Sequence, residues 1–165
     1  CLLVQGFFGG KMEEKNNNWM QSVTAVVIEN EKVLLARHTY GAGKNMLIVP
    51  GGYVRLGETP QQAVVREFAE ETGVTIEPQG IIGIRFNLKD WYIAFSARYV
   101  SGSAHSDNDE NSEVLWLNTT EALKRDDVPD LTKKLIEAAL NTNPSFMPKE
   151  YISREKHGEF SLYTK

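Results

Sequence analysis

The sequence predicts an α/β fold in which a mixed β-sheet lies between helices. Segments rich in β-branched and apolar residues, which are typical of strands, stand on both sides of an amphipathic helix, and a second amphipathic helix follows them. This order differs from the regular strand–helix alternation that is typical of a parallel sheet. A length of 165 residues is that of one domain, and it is long enough to bury a core without disulfides or a structural metal.

The predicted strands are bounded by polar or glycine-rich segments. They lie at residues 22–29, 32–37, 46–49, 74–86, 91–100 and 113–117. Only Asn30 and Glu31 separate the first two strands, which predicts a hairpin. Residues 101–111 are polar and are expected to form a loop.

Two helices are predicted from their start and stop signals and from the spacing of apolar residues. The first begins at Pro60 with Thr59 as its N-cap, and Gly73 ends it after Thr72. The second spans residues 129–140, where apolar side chains recur at helical spacing on one face.

The domain itself is expected to span residues 12–143, beginning at Met12. Residues 1–11 are apolar without a preceding basic residue, unlike a signal peptide, and are interpreted as a non-native or upstream extension. The alternative for them is a short arm packed on the surface. Residues 144–165 carry two prolines and mixed charge, and are expected to form a peripheral tail that packs on or near the domain.

Composition excludes several classes of protein. A net charge of −4 argues against non-specific nucleic-acid binding and against a polybasic membrane surface. The single cysteine, Cys1, excludes an internal disulfide framework and a cysteine-based zinc site, and fits a reducing compartment. No apolar run approaches the roughly 20 residues of a membrane span. We therefore expect a cytoplasmic monomer or homodimer with no nucleic-acid or membrane partner.

The first predicted helix carries an unusual concentration of acidic residues. At about 100° per residue, Glu67, Glu70 and Glu71 fall within one sector of this helix, and Phe68 and Ala69 are among the apolar residues expected on the opposite face. Like charges at this spacing destabilise a helix by a few tenths of a kcal/mol per pair. A divalent cation with oxygen ligands would hold these carboxylates together, as would protonation of one of them. The simpler alternative is a solvated acidic face, but residues 61–72 contain no lysine to balance it.

Residues 52–74 resemble the Nudix box, in which glycines, glutamates and one arginine occupy fixed positions. The matching residues are Gly52, Glu58, Arg66, Glu67, Glu70, Glu71 and Gly73, with Phe68 and Val74 in the apolar positions. The resemblance to this family, and to its MutT-like members, implies an α/β/α sandwich. It also implies Mg²⁺- or Mn²⁺-dependent hydrolysis of a nucleoside diphosphate linked to another moiety.

The same resemblance assigns roles to individual residues. The metal ligands would be Glu67, Glu70 and Glu71, together with a main-chain carbonyl of Gly51 or Gly52. Glu67 or Glu70 would be the general base.

Two further roles follow from the family pattern. Glu58 and Arg66 would form a pair that braces the loop against the helix, with an ordinary surface cation as the alternative for Arg66. In several members an acid far downstream of the box completes the site. Glu113 is the preferred candidate here and Glu110 the other, although either is equally well explained as a loop charge.

Substrate contacts are less readable from the sequence. The candidates are Arg37, Tyr53, Arg85, Trp91 and Glu110, and for the aromatic residues packing is the more common role. The substrate is expected to be a small nucleotide, either a nucleotide sugar such as ADP-ribose or a nucleoside triphosphate. The alternative function is a non-catalytic Nudix-fold module that senses a nucleotide.

Overall fold

The computed structural model describes residues 20–88, 90–141, 145–150 and 162–164. The predicted extension at residues 1–11 and the expected start at Met12 lie outside these ranges, as does most of the predicted tail. None of the helices in the described ranges is long and apolar enough to cross a membrane.

The structure contains every predicted strand and helix, with bounds within two residues of the expected ones. The strands are β1 (Met20–Glu29), β2 (Lys32–His38), β3 (Leu47–Ile48), β4 (Gly51–Tyr53), β5 (Val74–Phe86), β6 (Asp90–Gly102), β7 (Asn111–Asn118), β8 (Met147–Lys149) and β9 (Leu162–Thr164). The helices are α1 (Pro60–Thr72), α2 (Thr119–Ala122) and α3 (Asp130–Leu140). The short elements β4, α2, β8 and β9 were not predicted.

The main sheet has the strand order β3-β2-β1-β6-β5, with β4 paired to β1 and β7 paired to β2. β1 runs parallel to β6, whereas the other strand pairs of this sheet are antiparallel. The predicted mixed sheet is therefore confirmed. Along its other edge, β1 pairs first with β4 and then with β2, so the sheet divides at this strand.

The hairpin between β1 and β2 turns at the predicted residues. Asn30 and Glu31 have φ values of 49° and 63°, and Glu29 pairs with Lys32 across the turn. Positive φ at both central residues is the type I′ geometry that two-residue hairpin loops favour, because its twist matches that of the strands.

Two hydrophobic cores lie on opposite faces of the sheet. One combines Val23 and Val27 of β1 with Val64 and Phe68 of α1. The other contains Val26 of β1 together with residues of α3. Because successive strand residues point to opposite faces, a run of apolar residues in β1 serves both cores. Helices therefore cover the sheet on both sides, and the predicted α/β/α sandwich is confirmed.

α1 begins and ends as the sequence predicts. Thr59 and Gln62 form a capping box, and Gly73 ends the helix with a φ of 70°. The expected apolar face was partly wrong, because Ala69 is exposed whereas Glu71 is 4% exposed. The helix is rotated toward β4, which brings Glu71 into the interior.

The described part of the tail packs onto the domain. β8 and β9 form a two-stranded sheet, and Phe146 beside β8 bridges to Ile81 of β5. The ring of Tyr163 lies 5.7 Å from that of Phe95 and contacts the first core. These contacts place the end of the described chain against the face that α1 covers.

Candidate active site

Two adjacent glycines in β4 allow the strand to lie close to both β1 and α1. Gly51 pairs with Thr24 and Gly52 with Val23. A Cβ atom at Gly51 would collide with the carbonyl oxygen of Val23, and one at Gly52 would lie 2.5 Å from Cδ of Glu67. A side chain at either position would therefore separate the strand from its neighbours.

Arg66 joins the helix, the preceding loop and β4. Its Nε and Nη2 donate to the two carboxylate oxygens of Glu58 at 3.0 and 2.6 Å, and Nη2 also donates to the carbonyl of Tyr53 at 3.1 Å. Its Nη1 contacts Glu67 at 2.5 Å and Glu70 at 3.2 Å. The Arg66 guanidinium lowers the pKa of Glu58 to about 2, so this carboxylate stays charged near neutral pH. These are the contacts that the predicted brace requires.

Glu71 is the buried member of the acidic cluster. Its carboxylate accepts a hydrogen bond from the Gly51 amide at 3.0 Å. Burial, and to a lesser extent the nearby carboxylates of Glu110, Glu67 and Asp107, raises its pKa to about 8, although the Gly51 hydrogen bond acts in the opposite direction. An added cation would relieve both the burial cost and this repulsion.

Glu70 is the exposed member of the cluster. Its side chain is 50% exposed, and its Oε2 lies 3.2 Å from both Arg66 Nη1 and Arg55 Nη2. In the described part of the chain, no three acidic or histidine side chains are arranged around a common point as metal ligands. Instead, Nη1 of Arg66 contacts both Glu67 and Glu70.

The chemistry of this donor set nevertheless fits a hard divalent cation. Glu67 and Glu71 both contact β4, one beside Gly52 and the other at the Gly51 amide, and Glu70 is connected to Glu67 through Arg66. Carboxylate and main-chain carbonyl oxygens are the ligands that Mg²⁺ and Mn²⁺ prefer. Rotation of the exposed Glu70 side chain away from Arg66 and Arg55 would make its oxygens available as well.

A cleft of about 530 Å³ lies beside the acidic cluster, lined by residues from β1 to β6 and α1. Its polar and aromatic lining includes His38, Tyr40, Tyr53, Glu67, Arg85, Asp90, Tyr92 and Glu110. The box segment therefore opens onto a space large enough for a small ligand.

One wall of the cleft carries a fixed pair of opposite charges. Nη2 of Arg85 lies 2.9 Å from both carboxylate oxygens of Asp90, and Ser22 Oγ donates to Asp90 at 2.9 Å. The Arg85 guanidinium lies 4.9 Å from the centre of the Tyr92 ring. This wall offers a ligand both a hydrogen-bond acceptor and a cation.

Another wall is formed by aromatic rings and an acid. Tyr40 donates to Glu110 at 3.1 Å, and its ring lies 5.0 Å from that of His38. Burial lowers the pKa of His38, although the carboxylates of Glu110 and Asp107 act in the opposite direction. His38 is therefore mainly neutral near pH 7.

The structure brings several predicted site residues to the cleft and leaves others away from it. Tyr53, Arg85 and Glu110, which were predicted as substrate contacts, line it. Glu113, the preferred downstream acid, is paired with Arg37 at 2.9 Å and is not part of the lining. A bulge between Arg37 and His38 shifts the register of β2 against β7.

Arg37 and Trp91, which were also predicted as substrate contacts, do not line the cleft. Arg37 is held by Glu113, by Asp127 at 3.1 Å and by the carbonyl of Asn45, and does not line the cleft. Trp91 packs its ring edge-on against Phe86 at 5.0 Å. Its strand neighbours on either side line the cleft, so strand alternation directs Trp91 to the other face.

Sequence reasoning did not identify Ser22 and Asp90 as members of the site. They lie 68 residues apart and meet because β1 and β6 pair in parallel. A hydroxyl and a carboxylate at the ends of two strands give no local signal of this proximity.

Comparison with known proteins agrees with the fold and identifies the family. Residues 19–139 match the family model described as NUDIX domain. A MutT-like protein of Streptomyces ambofaciens is 34% identical over 105 residues, covering 63% of this chain and 67% of the relative. The NAD-capped RNA hydrolase NudC of Vibrio atlanticus is 31% identical over 122 residues, which is 70% of this chain but only 43% of that relative.

The fold is also found among solved structures. The crystal structure of a MutT Nudix hydrolase from Burkholderia pseudomallei superposes with a TM-score of 0.62 at 18% identity, covering 72% of this chain and 96% of the other. The sequence match extends over most of the chain and includes the complete box beside the cleft. This chain therefore belongs to the Nudix family of hydrolases, which act on pyrophosphate bonds.

Proposed function

We propose that the chain is a divalent-metal-dependent pyrophosphohydrolase that cleaves a nucleoside diphosphate linked to another moiety. The observation that carries this proposal is the placement of the box acids against the β4 glycines at the edge of a cleft of about 530 Å³. A diphosphate would be repelled by the box acids, and a cation bound by these carboxylates would offset that repulsion.

Glu67, Glu70 and Glu71 would hold the metal, with a main-chain carbonyl of Gly51 or Gly52 as a further ligand. When bound, Mg²⁺ or Mn²⁺ supplies charge neutralisation for the phosphate oxygens and lowers the pKa of a coordinated water. Glu110 lines the cleft, lies close enough to Glu71 to raise its pKa, and is proposed as the downstream acid of the site.

The residues of the chain orient the reactants and receive the proton. Glu67 is the preferred general base over Glu70, because Glu67 lines the cleft and its side chain is 14% exposed, whereas Glu70 faces outward. Arg66 acts as a positioning residue, since it fixes Glu67 relative to Glu58 and β4.

The nucleoside would occupy the wall formed by Arg85, Asp90 and Tyr92. Asp90 offers an acceptor for a ribose hydroxyl or a base N–H, and Tyr92 offers an aromatic surface. Tyr53 is 55% exposed at the cleft and is proposed to cover the bound ligand from outside.

Product analysis over a substrate panel tests this proposal. The panel contains ADP-ribose, UDP-sugars, nucleoside triphosphates and their oxidised forms, dinucleoside polyphosphates and NAD-capped RNA, each with Mg²⁺, with Mn²⁺ and with a chelator. We expect metal-dependent release of a nucleoside monophosphate from at least one member. Binding without release in all arms would favour the nucleotide-sensing alternative, and release that survives chelation would contradict the metal requirement.

A further inference from the structure

Arg55 is a cation at the cleft that the proposed function does not use. It lies in the loop between β4 and α1, its side chain is 62% exposed, and it lines the same cleft as Gly52 and Glu67. Its Nη2 lies 3.2 Å from Oε2 of Glu70. A guanidinium thus stands between the diphosphate cleft and one of the proposed metal ligands.

The backbone of Arg55 is fixed, although its side chain is exposed. Its amide donates to Oε1 of Glu58 at 2.6 Å, and Glu58 is itself held by two nitrogens of Arg66. The Cα of Arg55 therefore keeps its distance from α1, and only rotations of the side chain can move its guanidinium.

The two arginines that contact Glu70 differ in what else holds them. Arg66 also contacts Glu58, Glu67 and the carbonyl of Tyr53, so it keeps these partners if Glu70 is withdrawn. Within the described ranges, Glu70 is the partner of the Arg55 guanidinium. A cation that takes Glu70 as a ligand would leave Arg55 without a counter-charge.

A diphosphate in the cleft would supply the missing counter-charge. Guanidinium groups bind phosphate oxygens through paired hydrogen bonds, and these charge-assisted bonds are stronger than neutral ones. The Arg55–Glu70 pair is exposed and contributes little to the stability of the protein. Exchanging Glu70 for a phosphate group therefore costs little free energy.

We propose that Arg55 is a phosphate-binding residue that exchanges its Glu70 contact for the substrate diphosphate when Glu70 binds the metal. The inference rests on the proposed function, because it assumes that Glu70 is a metal ligand and that a diphosphate occupies the cleft. In the free protein, Arg55 would compete with the metal for Glu70, and in the metal-loaded protein it would bind the substrate diphosphate.

Two opposite effects of Arg55→Gln test the exchange. Without nucleotide, the variant should bind Mn²⁺ several-fold more tightly than the parent, measured by titration with detection of free Mn²⁺, because Glu70 loses a competing cation. With Mn²⁺ present, its affinity for ADP should fall by about tenfold, because one charge-assisted contact is lost. Arg55→Lys, which keeps the charge but not the fork, should lie between parent and Gln variant in ADP affinity.

Arg98→Gln is the matched control, since Arg98 is similarly exposed but pairs with Glu77 on β5. It should leave both affinities unchanged. On the best substrate of the panel, Arg55→Gln should raise KM about tenfold and change kcat less. Unchanged ADP affinity, or weaker Mn²⁺ binding in the Arg55 variant, would overturn the proposal. If the parent hydrolyses no member of the panel but Arg55→Gln shows both changes in affinity, the enzymatic function is rejected and the exchange is supported.

Discussion

Arg66 shows how one side chain determines the geometry of the site. Its three nitrogens contact a loop carboxylate, two helix carboxylates and a strand carbonyl, and its side chain is only 19% exposed. The Glu58 carboxylate, 16% exposed, has Arg66 as its main counter-charge. A half-buried charge of this kind is costly to leave unpaired.

Replacing Arg66 with alanine should therefore reduce both stability and turnover. We expect the free energy of unfolding, measured by urea denaturation at pH 7, to fall by about 1–3 kcal/mol. Arg98→Ala removes a surface pair in which both side chains are more than half exposed, and should change it by less than about 0.5 kcal/mol. An Arg66 variant that is as stable and as active as the parent would contradict the bracing role of Arg66.

Gly52→Ala should damage the site with less effect on the fold than most core changes. The added methyl group would lie 2.5 Å from Cδ of Glu67 and would push this carboxylate away from β4. We expect a loss of turnover and a smaller Mg²⁺-induced rise in Tm. Gly43→Ala is the control, because its Cβ would meet nothing closer than 3.9 Å. Equal activity of the two variants would contradict the role assigned to Gly52.

At this scale, the sequence predicted the box acids and Arg66 but not their environments. The burial of Glu71 depends on the rotation of α1 against β4, which helical periodicity alone misjudged. Glu113 pairs with Arg37 on the neighbouring strand, whereas Glu110 lines the cleft. Both environments depend on partners that are distant in the sequence, so neither leaves a local pattern.

Among the elements, α1 has the least favourable arrangement of charges. Its acidic residues repel one another, and its first turn has no acidic residue to interact favourably with the helix dipole. The capping box at Thr59 and the packing of Val64 and Phe68 offset this cost. Start and stop signals on either side of the helix made its bounds predictable from sequence.

Thr59→Ala should lower the free energy of unfolding by about 1 kcal/mol, because the main-chain amide of Gln62 loses the Thr59 hydroxyl as its acceptor. Thr59→Ser keeps this acceptor and should retain most of the stability. Chemical denaturation of the three proteins decides the point, and equal loss in both variants would show that the methyl group of Thr59, rather than the cap, is what matters.

The segment before α3 is attached to β2 through charges. Arg125 and Arg37 both contact Asp127, at 2.7 and 3.1 Å, and the Asp127 carbonyl accepts from the Leu47 amide at 2.8 Å. Arg125, and secondly Arg37, hold the pKa of the Asp127 carboxyl well below its usual range. Arg37 was predicted as a substrate contact, and the structure gives it this connecting role instead.

Asp127 should make the free energy of unfolding depend on pH in the acid range. Because its pKa is lower in the folded state, its contribution is present above about pH 4, the ordinary value, and is lost as the pH falls further. Asp127→Asn should therefore be less stable than the parent by about 1 kcal/mol at pH 7, with the difference narrowing below pH 4. Urea denaturation from pH 7 to pH 3 measures it, and a constant difference would contradict this assignment.

On the scale of the whole molecule, the cleft depends on long-range strand pairing. Ser22 of β1, Asp90 and Tyr92 of β6 and Arg85 of β5 share one wall because β6 lies between the other two strands. The sequence predicted the strands and a mixed sheet, since these follow from local patterns. Apart from the β1–β2 hairpin, it did not predict which strands become neighbours, and the composition of the cleft follows from that order.

The central claim is that the box carboxylates perform metal-dependent hydrolysis, and the turnover of Glu67→Gln tests it most directly. This change keeps the size of the side chain and removes one charge. On the parent's best substrate with Mg²⁺, we predict that kcat falls by about 10²–10⁴-fold while the circular dichroism spectrum stays that of the parent. Glu77→Gln, on an exposed strand position, should retain full activity. A folded Glu67→Gln protein that turns over at the parent's rate would contradict the account.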